Sequence, residues 1–409
     1  MKSTTTESTL GAILASLGGE TRIDLGLDRF RVALAQVGNP EKNVQTIVIA
    51  GTNGKGTTTL FVSNALKRAG LRVGTYLSPH LVSLNERFLC DMKPVSMEEL
   101  DRLGRSLREY GRDLTYFEFL TLIYFVWAAE AGVEISVLEV GLGGRLDATN
   151  VTEPLATAIT NIDLEHQAYL GNTREMILRE KLGIIRVGVP LFTGLSDPAL
   201  IAQCERAVSP VIRNQTTPHR CLDRTWDGQQ VEIDGNPFQL RNPSVGTLEN
   251  ATLAYSILRA RSVEVSLIQS AFAEVTTPGR FEVVPGAPRI ILSGDHNPHG
   301  LQSLFETLDD LPPTRLHTLC AFSLDKPYAD MYAQLAKHSE VILLTSLSRH
   351  AGKTPATYKT LGPFEPDPVS AFESLRQSTL PEATLLVTGS LYLVGIIRNL
   401  LGRYSSPPA

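Results

Sequence analysis

Cysteine is scarce in this sequence. Cys90, Cys204, Cys221 and Cys320 are spread over 409 positions, and no two have Cys-x-x-Cys spacing. So few in so long a chain do not make a disulfide framework, and a reducing compartment fits best. Long apolar runs are missing as well. The longest, 119–129, is interrupted by Thr121 and stopped by Glu130, well short of the ~20 residues of a membrane span. The N-terminus carries Lys2, a Ser/Thr run with Glu7 and only a short apolar patch at 10–17, which is not the pattern of a secretory signal. A cytoplasmic protein is expected, with no membrane partner. An excess of one charge is also absent: 38 Lys+Arg stand against 43 Asp+Glu, a net −5. That balance argues against nucleic acid or an anionic membrane gripped through bulk charge, though it leaves room for a local basic pocket. There is no internal repeat and no low-complexity tract beyond the ends. What remains, 43% hydrophobic and 20% charged residues, is ordinary globular usage. At ~150 residues per domain, the length suggests two or three domains.

Short β-branched runs alternate with amphipathic stretches. Strands are expected at 46–50, 73–77, 135–140 and 156–162, and helices at 58–69, 96–110 and 118–131. Ser96 and Glu99 have capping-box spacing. This alternation predicts a parallel sheet with helices on both faces. The stretch 206–246 differs. Prolines break it up, and 231–233 reads as a short hairpin strand beside Asp234-Gly235. Helix returns at 250–260. Thr277-Pro278-Gly279 is the best domain boundary, dividing the chain into 1–277 and 278–409. A second β/α series follows, with strands at 289–292, 316–321, 340–345 and 384–387. About 130 residues suffice for an independent α/β domain.

Between the first strand and the first helix lies Gly51-Thr52-Asn53-Gly54-Lys55-Gly56-Thr57. Three glycines let backbone N–H groups approach phosphate oxygens. The helix N-terminus adds donors and partial positive charge. Lys55 brings a full charge, and Thr57 offers a hydroxyl for Mg²⁺. The strict Walker spacing is broken by Gly56. Other polar residues fall at strand ends, where open parallel sheets collect ligands. These are Ser78 in Ser78-Pro79-His80, Glu139 before the Gly141–Gly144 stretch, and His166. Thr57, Ser78 and Glu139 can give oxygens to Mg²⁺, and His166 a less usual nitrogen. Taken singly, each has a plainer reading as a turn, an ion pair or a capped loop. Their common sheet edge favours a site. On chemistry alone, Lys181 reads as a solvated or ion-paired lysine, and His296 and His299 form an unspecific loop pair.

Together these segments resemble the folylpolyglutamate synthase/dihydrofolate synthase family, within the Mur-ligase-like ATP-dependent amide ligases. The matching stretches are IDLGLDR at 23–29, AGTNGKGT at 50–57, LSPH at 77–80, TYFEF at 115–119 and LEVGLGGRLDATN at 138–150. Leu170-Gly171 and EKLGII at 180–185 continue the series, followed by PGRFE at 278–282, HNPH at 296–299, Asp325-Lys326 and TGSL at 388–391. They run in the family's order over almost the whole chain. The resemblance implies an α/β protein: a P-loop parallel-sheet ATP-binding domain followed by a smaller Rossmann-like α/β domain. It implies that a substrate carboxylate takes the γ-phosphoryl group of ATP and that the amine of L-glutamate attacks the acyl phosphate. The substrates would be dihydropteroate and reduced folates, as in bifunctional bacterial forms, and a monomer is expected.

The site residues follow from the same resemblance. Asn53, Gly54, Gly56 and Thr57 hold ATP with Lys55. Thr57, Ser78, Glu139 and His166 hold Mg²⁺. Lys181 is the lysine carbamylated by CO₂. Asn250 and Arg280 match ATP-contacting positions between the domains, and His296 orients the acyl phosphate or accepts the amine proton. Pterin contacts fall at Thr115, Tyr116, Phe117 and Glu118, and at Leu146, Asp147 and Ala148, with Arg29 in a segment lining the same pocket. The sequence also departs from the family. Ser293 stands where an aspartate is usual, and Asp295 appears two residues later, on the same face if the strand continues. Gly246 alters the segment before Asn250, and Glu165 replaces the usual Asp beside His166. Two alternatives stay open: a peptidoglycan-precursor ligase of the same chemistry, and a folate- or nucleotide-binding paralogue with weak catalysis.

Overall fold

A computed structural model describes residues 9–20, 22–323, 326–347 and 358–405; Asp325 lies outside them. The chain divides into two compact units. The first comprises 1–218 with 249–272, and the second 219–248 with 273–409. The boundary expected at 277/278 falls inside the second unit, which also takes in the segment 219–248.

The first unit is built on eight strands: β1 (Gln45–Ala50), β2 (Val73–Tyr76), β3 (Phe88–Cys90), β4 (Lys93–Pro94), β5 (Ile135–Glu139), β6 (Pro154–Ile159), β7 (Leu191–Thr193) and β8 (Val211–Arg213). Their order is β4-β3-β2-β5-β1-β6-β7-β8. The six strands from β2 through β8 pair in parallel, while β3 and β4 add an antiparallel edge. That edge was not foreseen. Its turn uses Asp91 and Met92 at φ 48° and 67°, a left-handed pair with no glycine to announce it. β1, β5 and β6 are buried along nearly their whole length, as a parallel sheet covered on both faces requires. Ile49 pairs with Glu139 on one side and Ala158 on the other, so three strands end level.

Helix Lys55–Arg68 follows β1 directly. It starts three residues before the expected 58 because Gly54, at φ 83°, turns the chain straight into it. Helix Met97–Leu107 is capped by Ser96, whose hydroxyl accepts from the Glu99 amide. The return half of the expected box is spent elsewhere, since Glu99 pairs with Arg102. The complete box sits one helix later. In Tyr116–Glu130, Thr115 Oγ1 accepts from Glu118 N and the Glu118 carboxylate accepts from Thr115 N. That helix is apolar almost all round because its neighbours enclose it. Phe119, Leu120, Ile123 and Phe125 are fully buried in the core of the first unit.

The second unit opens with an antiparallel sheet of β9 (His219–Thr225), β10 (Gly228–Ile233) and β11 (Asn236–Leu240). The hairpin at Asp234-Gly235 is present, both residues at positive φ, the backbone form that a two-residue hairpin demands. The expected short strand at 231–233 is the end of β10. Then follow β12 (Glu282–Val284), β13 (Arg289–Leu292), β14 (Leu316–Cys320), β15 (Val341–Thr345), β16 (Phe364–Glu365) and β17 (Thr384–Thr388), in the order β12-β13-β17-β14-β15-β16. All pairs are parallel except β12–β13. Among the described residues no helix is long and apolar enough to cross a membrane.

Phe119 is completely buried, and its ring lies where a Cβ on Gly111 would come within 2.3 Å. Phe119→Ala therefore leaves a cavity that neighbouring backbone cannot fill. The expected loss of stability is about 3–5 kcal/mol, read as a lower urea midpoint at unchanged slope. A midpoint equal to that of the wild type contradicts this packing.

Candidate active site

The loop after β1 wraps tightly. Gly51 is at φ 144°, and a Cβ there would fall 1.8 Å from Thr160 Oγ1. Thr160 follows β6 and donates to Asn53 O at 2.6 Å, while Asn161 Oδ1 accepts from Asn53 N at 2.8 Å. Gly54 is equally hemmed in: its Cβ would meet Asn250 Oδ1 at 2.2 Å. Asn250 Oδ1 also accepts from Thr58 Oγ1 at 3.3 Å, which brings the predicted Asn250 to the loop. Sequence reading missed Thr160 and Asn161. Their signal was their place immediately beyond a strand end.

Two lysines converge on this loop. Lys55 Nζ donates to Gly51 O at 2.9 Å and Thr52 O at 3.0 Å. Lys181, only 2% exposed at the end of helix Arg174–Lys181, donates to the same Gly51 carbonyl at 2.9 Å and to Glu165 Oε1 at 2.5 Å. Lys181 is thus a buried ion-paired lysine rather than a solvated one. Burial, with Lys55 beside it, pulls its ammonium down to about 8 even though Glu165 acts the other way. Burial works against the Glu165 carboxylate too, but Lys181, Lys55 and His166 outweigh it and hold it down at about 2. His166, next in the chain, begins its short helix with a left-handed φ of 43°.

Glu139 ends β5 beside them. Its Oε2 accepts from Ser78 N at 2.9 Å and lies 3.2 Å from where a Cβ on Gly56 would be. Glu139, Ser78, Gly56 and the adjoining Thr57 therefore share one corner. Among the described residues no group of three or more His, Cys, Asp and Glu side chains forms a metal cage. A carboxylate with hydroxyl oxygens is the sparse, hard donor set that suits Mg²⁺, which keeps waters and takes phosphate oxygens.

The predicted pterin residues separate into two kinds. Arg29, Tyr116, Phe117 and Leu146 are partly exposed, whereas Thr115, Glu118, Asp147 and Ala148 are buried. The Phe117 ring lies against Gly141, where a Cβ would come within 2.6 Å. Glu118 closes the helix cap and pairs with Arg29 Nε at 3.0 Å; Arg29 also pairs with Asp24 at 3.0 Å. Asp147 accepts from Leu142 N, Thr149 N and Thr149 Oγ1 at 2.9, 3.0 and 2.6 Å, so its oxygens hold the loop 141–149 in shape. Burial pushes its carboxyl above the ordinary value.

In the second unit, Ser293 follows β13. Its hydroxyl donates to Asp295 Oδ2 at 2.6 Å and accepts from Phe281 N at 3.1 Å. The two side chains thus meet across the bend at Gly294, whose amide donates to Gly279 O at 2.8 Å. Burial raises the Asp295 carboxyl, against the Ser293 hydroxyl, Arg280 and His299. His296 Nδ1 lies 2.9 Å from Gly294 O. A carbonyl only accepts, so Nδ1 carries the proton and the acceptor of the neutral ring is Nε2. The turn bearing Arg280 is held from three sides. Glu282 accepts from Gly279 N at 2.8 Å and from Arg398 Nε at 3.0 Å, and Asn242 donates to Thr277 Oγ1 at 2.7 Å and to Arg280 O. Asn242 is itself braced by Gln229 on β10. Asn242, Gln229 and Arg398 carried no sequence signal.

Comparison with known proteins agrees with this division. The Mur ligase middle domain family matches residues 49–213, and the Mur ligase glutamate ligase domain matches 279–391. The chain is 31% identical to the dihydrofolate synthase/folylpolyglutamate synthase of Bacillus subtilis strain 168, over 92% of this chain and 95% of that one. To the protein of the same name from Escherichia coli K12 it is 31% identical, over 93% and 92%. Its fold is similar to E. coli FolC in complex with DHPP and ADP, with a TM-score of 0.84, 30% identity and coverage of 97% and 98%. It is also similar to a folylpolyglutamate synthase of Thermotoga maritima, with a TM-score of 0.83, 30% identity and 97% of each chain covered.

The Glu165–Lys181 pair generates a pH prediction. The carboxyl is near 2 in the folded chain and 4.5 ordinarily. Its stabilisation is therefore complete above about pH 4.5 and is lost as pH falls towards 2. Glu165→Gln leaves a buried ammonium without its counter-charge and should cost about 3–5 kcal/mol at neutral pH. That gap from wild type should shrink steadily below pH 4.5 in denaturant titrations. A gap of the same size at pH 3 and pH 7 contradicts the pairing.

Proposed function

The chain belongs to the dihydrofolate synthase/folylpolyglutamate synthase family, and from that premise we propose how its residues divide the work of the reaction. It is an ATP-dependent ligase that joins L-glutamate to folates. The observation that carries the assignment of roles is the convergence of Lys55 and Lys181 on the Gly51 carbonyl. The Lys55 ammonium at this glycine-rich strand–helix loop is what a triphosphate and an approaching carboxylate require, because like charges must otherwise be forced together, and Lys181 ties the same carbonyl to Glu165.

In this reading the amides of Gly54 and Gly56 cradle the phosphates, Asn53 shapes the loop through its amide bond to Asn161, and Asn250 packs on the loop. Lys55 leaves its two carbonyl partners and takes the transferring phosphoryl group. Phosphoryl transfer asks mainly for positioning and charge stabilisation. Thr57, Ser78, Glu139 and His166 would hold Mg²⁺, which when bound supplies charge neutralisation on the phosphates. Tyr116, Phe117, Leu146 and Ala148 receive the flat pterin. Thr115, Glu118, Asp147 and Arg29 maintain the frame around it. The pocket serves dihydropteroate as well as reduced folates. The second unit contributes Arg280 and the hydrogen-bonded Ser293–Asp295 pair to nucleotide and glutamate use. His296 Nε2 accepts the proton that the glutamate amine must lose before it attacks the acyl phosphate.

Lys181 has a further role in this reading. Carbamylation runs through the neutral amine: the ammonium first gives up one proton, nitrogen then bonds to the carbon of CO₂ as one C=O bond opens onto oxygen, and a second proton leaves the nitrogen, so that a cation becomes an anion. An ammonium lowered to about 8 supplies far more neutral amine at neutral pH than an ordinary lysine. Glu165 occupies the neighbouring position, so modification requires that carboxylate to turn away.

Two measurements test these roles. ADP release should depend on both a pterin substrate and L-glutamate, with dihydropteroate and tetrahydrofolate each accepted. Lys55→Ala should fold normally and turn over about 100-fold more slowly or worse. Near-wild-type turnover in that variant removes the loop from the chemistry. For the modification, crystals of the nucleotide-bound enzyme grown with bicarbonate should show a carboxylated Lys181. A plain ammonium still paired with Glu165 under those conditions refutes carbamylation.

A further inference from the structure

Two segments that serve different substrates in the proposed reaction are welded together in the first unit. One is the loop 141–152, which carries Leu146 and Ala148. The other is the corner 180–186, which carries Lys181. Their backbones touch: a Cβ on Gly183 would lie 2.4 Å from Arg145 Cα, and one on Gly144 would lie 2.8 Å from Lys181 O. Arg145 N donates to Glu180 O at 2.8 Å. Contact this close needs something to hold it, because backbone surfaces alone bury little apolar area.

Asn150 and Arg186 supply the hold. Asn150, 8% exposed, sends its amide hydrogens to Arg145 O at 3.1 Å and Gly183 O at 2.9 Å, one on each segment. Arg186 answers from the other side. Its Nη2 donates to Asn150 O, Asn150 Oδ1 and Thr152 O at 3.0, 3.1 and 3.0 Å, and its Nη1 to Ile184 O and Ile185 O at 3.3 and 3.0 Å. A guanidinium that spends itself on backbone carbonyls of two segments is a rivet rather than a surface charge. Glu153, at 3.5 Å, is mostly exposed and adds little.

We propose that Asn150 and Arg186 are positioning residues for acyl-phosphate formation: they fix the pterin loop in register with Lys181 and so set where the substrate carboxylate meets the phosphoryl group. This rests on the functional reading above for the identity of the two substrates. Small displacements at such a junction cost heavily in rate, since a shift of about 1 Å can cost about 100-fold. Neither residue touches the phosphate loop in the hydrogen bonds that define the clamp.

The test uses Arg186→Lys, Arg186→Met and Asn150→Asp in the full chain. Lysine keeps the charge but is a point donor that cannot span both sets of carbonyls. Aspartate keeps the size but loses both amide hydrogens. Each variant should lower kcat by about tenfold or more and raise KM for the pterin substrate, while KM for ATP stays at the wild-type value. Assays are run well below each variant's unfolding temperature. A purely structural role would lower the unfolding temperature and leave kcat and both KM values alone; that result overturns the proposal, as does full activity in Arg186→Lys. Hydrogen exchange on the nucleotide-free protein reads the clamp without any turnover. Amides of 145–150 and 182–185 should lose protection together in the variants, with those of 52–58 unchanged. Loosening of one segment alone overturns the proposal too. Absence of pterin- and glutamate-dependent ADP release from the wild type would instead strike the functional reading, and the exchange experiment still decides the clamp.

Discussion

A buried ammonium that must be satisfied organises the first unit. Lys181 is enclosed at the end of its helix and has two partners, the Gly51 carbonyl and the Glu165 carboxylate. The first comes from the end of β1 and the second from the loop after β6. Neither partner can drift without stranding a charge in a medium that solvates it poorly. Satisfying Lys181 therefore fixes the glycine-rich loop 51–57, the β6 loop and the helix end relative to one another. Lys55 joins at the same carbonyl, and the site gains positive potential from groups that also hold its backbone in place.

Glycine makes the close approaches possible. At Gly51 and Gly54 the loop presses on Thr160 and Asn250 so closely that a methyl group has no room, and at Gly144 and Gly183 two backbones meet. Both conditions exclude any side chain, one through contact and positive φ together, the other through contact alone. The same device seats Phe117 against Gly141. A region rich in glycine is in this way made rigid, because each missing Cβ is occupied by a partner.

The second unit reaches a comparable end by different means. Its turn 277–282 has Gly279 and Phe281 at φ 67° and 46°, a conformation that costs free energy at Phe281. The cost is offset by hydrogen bonds donated by Asn242 and accepted by Glu282 and the Ser293 hydroxyl. Ser293 spans this turn and Asp295, so a hydroxyl in place of a carboxylate still ties the strand end to the Arg280 turn. The sheet of β9–β11 takes part through Gln229 and Asn242, which explains why the segment 219–248 groups with the residues after 273.

Local rules in the sequence determined the order of strands and helices, the parallel sheets, the glycine-rich strand–helix loop after β1 and the Asp234-Gly235 hairpin. Each depends on residues a few positions apart, where β-branched runs, glycine placement and hydrophobic period act directly on backbone torsion and burial. The same rules brought Ser78 and Glu139 together, because strands of a parallel sheet end together. They did not reveal the edge strands β3 and β4, whose turn uses non-glycine left-handed residues. Nor did they reveal that Lys181 is paired with Glu165, that Glu118 and Asp147 spend their carboxylates on backbone amides, or that Asn150 and Arg186 rivet two segments together. Those facts are about partners as many as 130 positions apart. A lysine, a glutamate or an arginine has the same local preferences whether it faces water or a buried carbonyl, and only the folded chain decides which it meets.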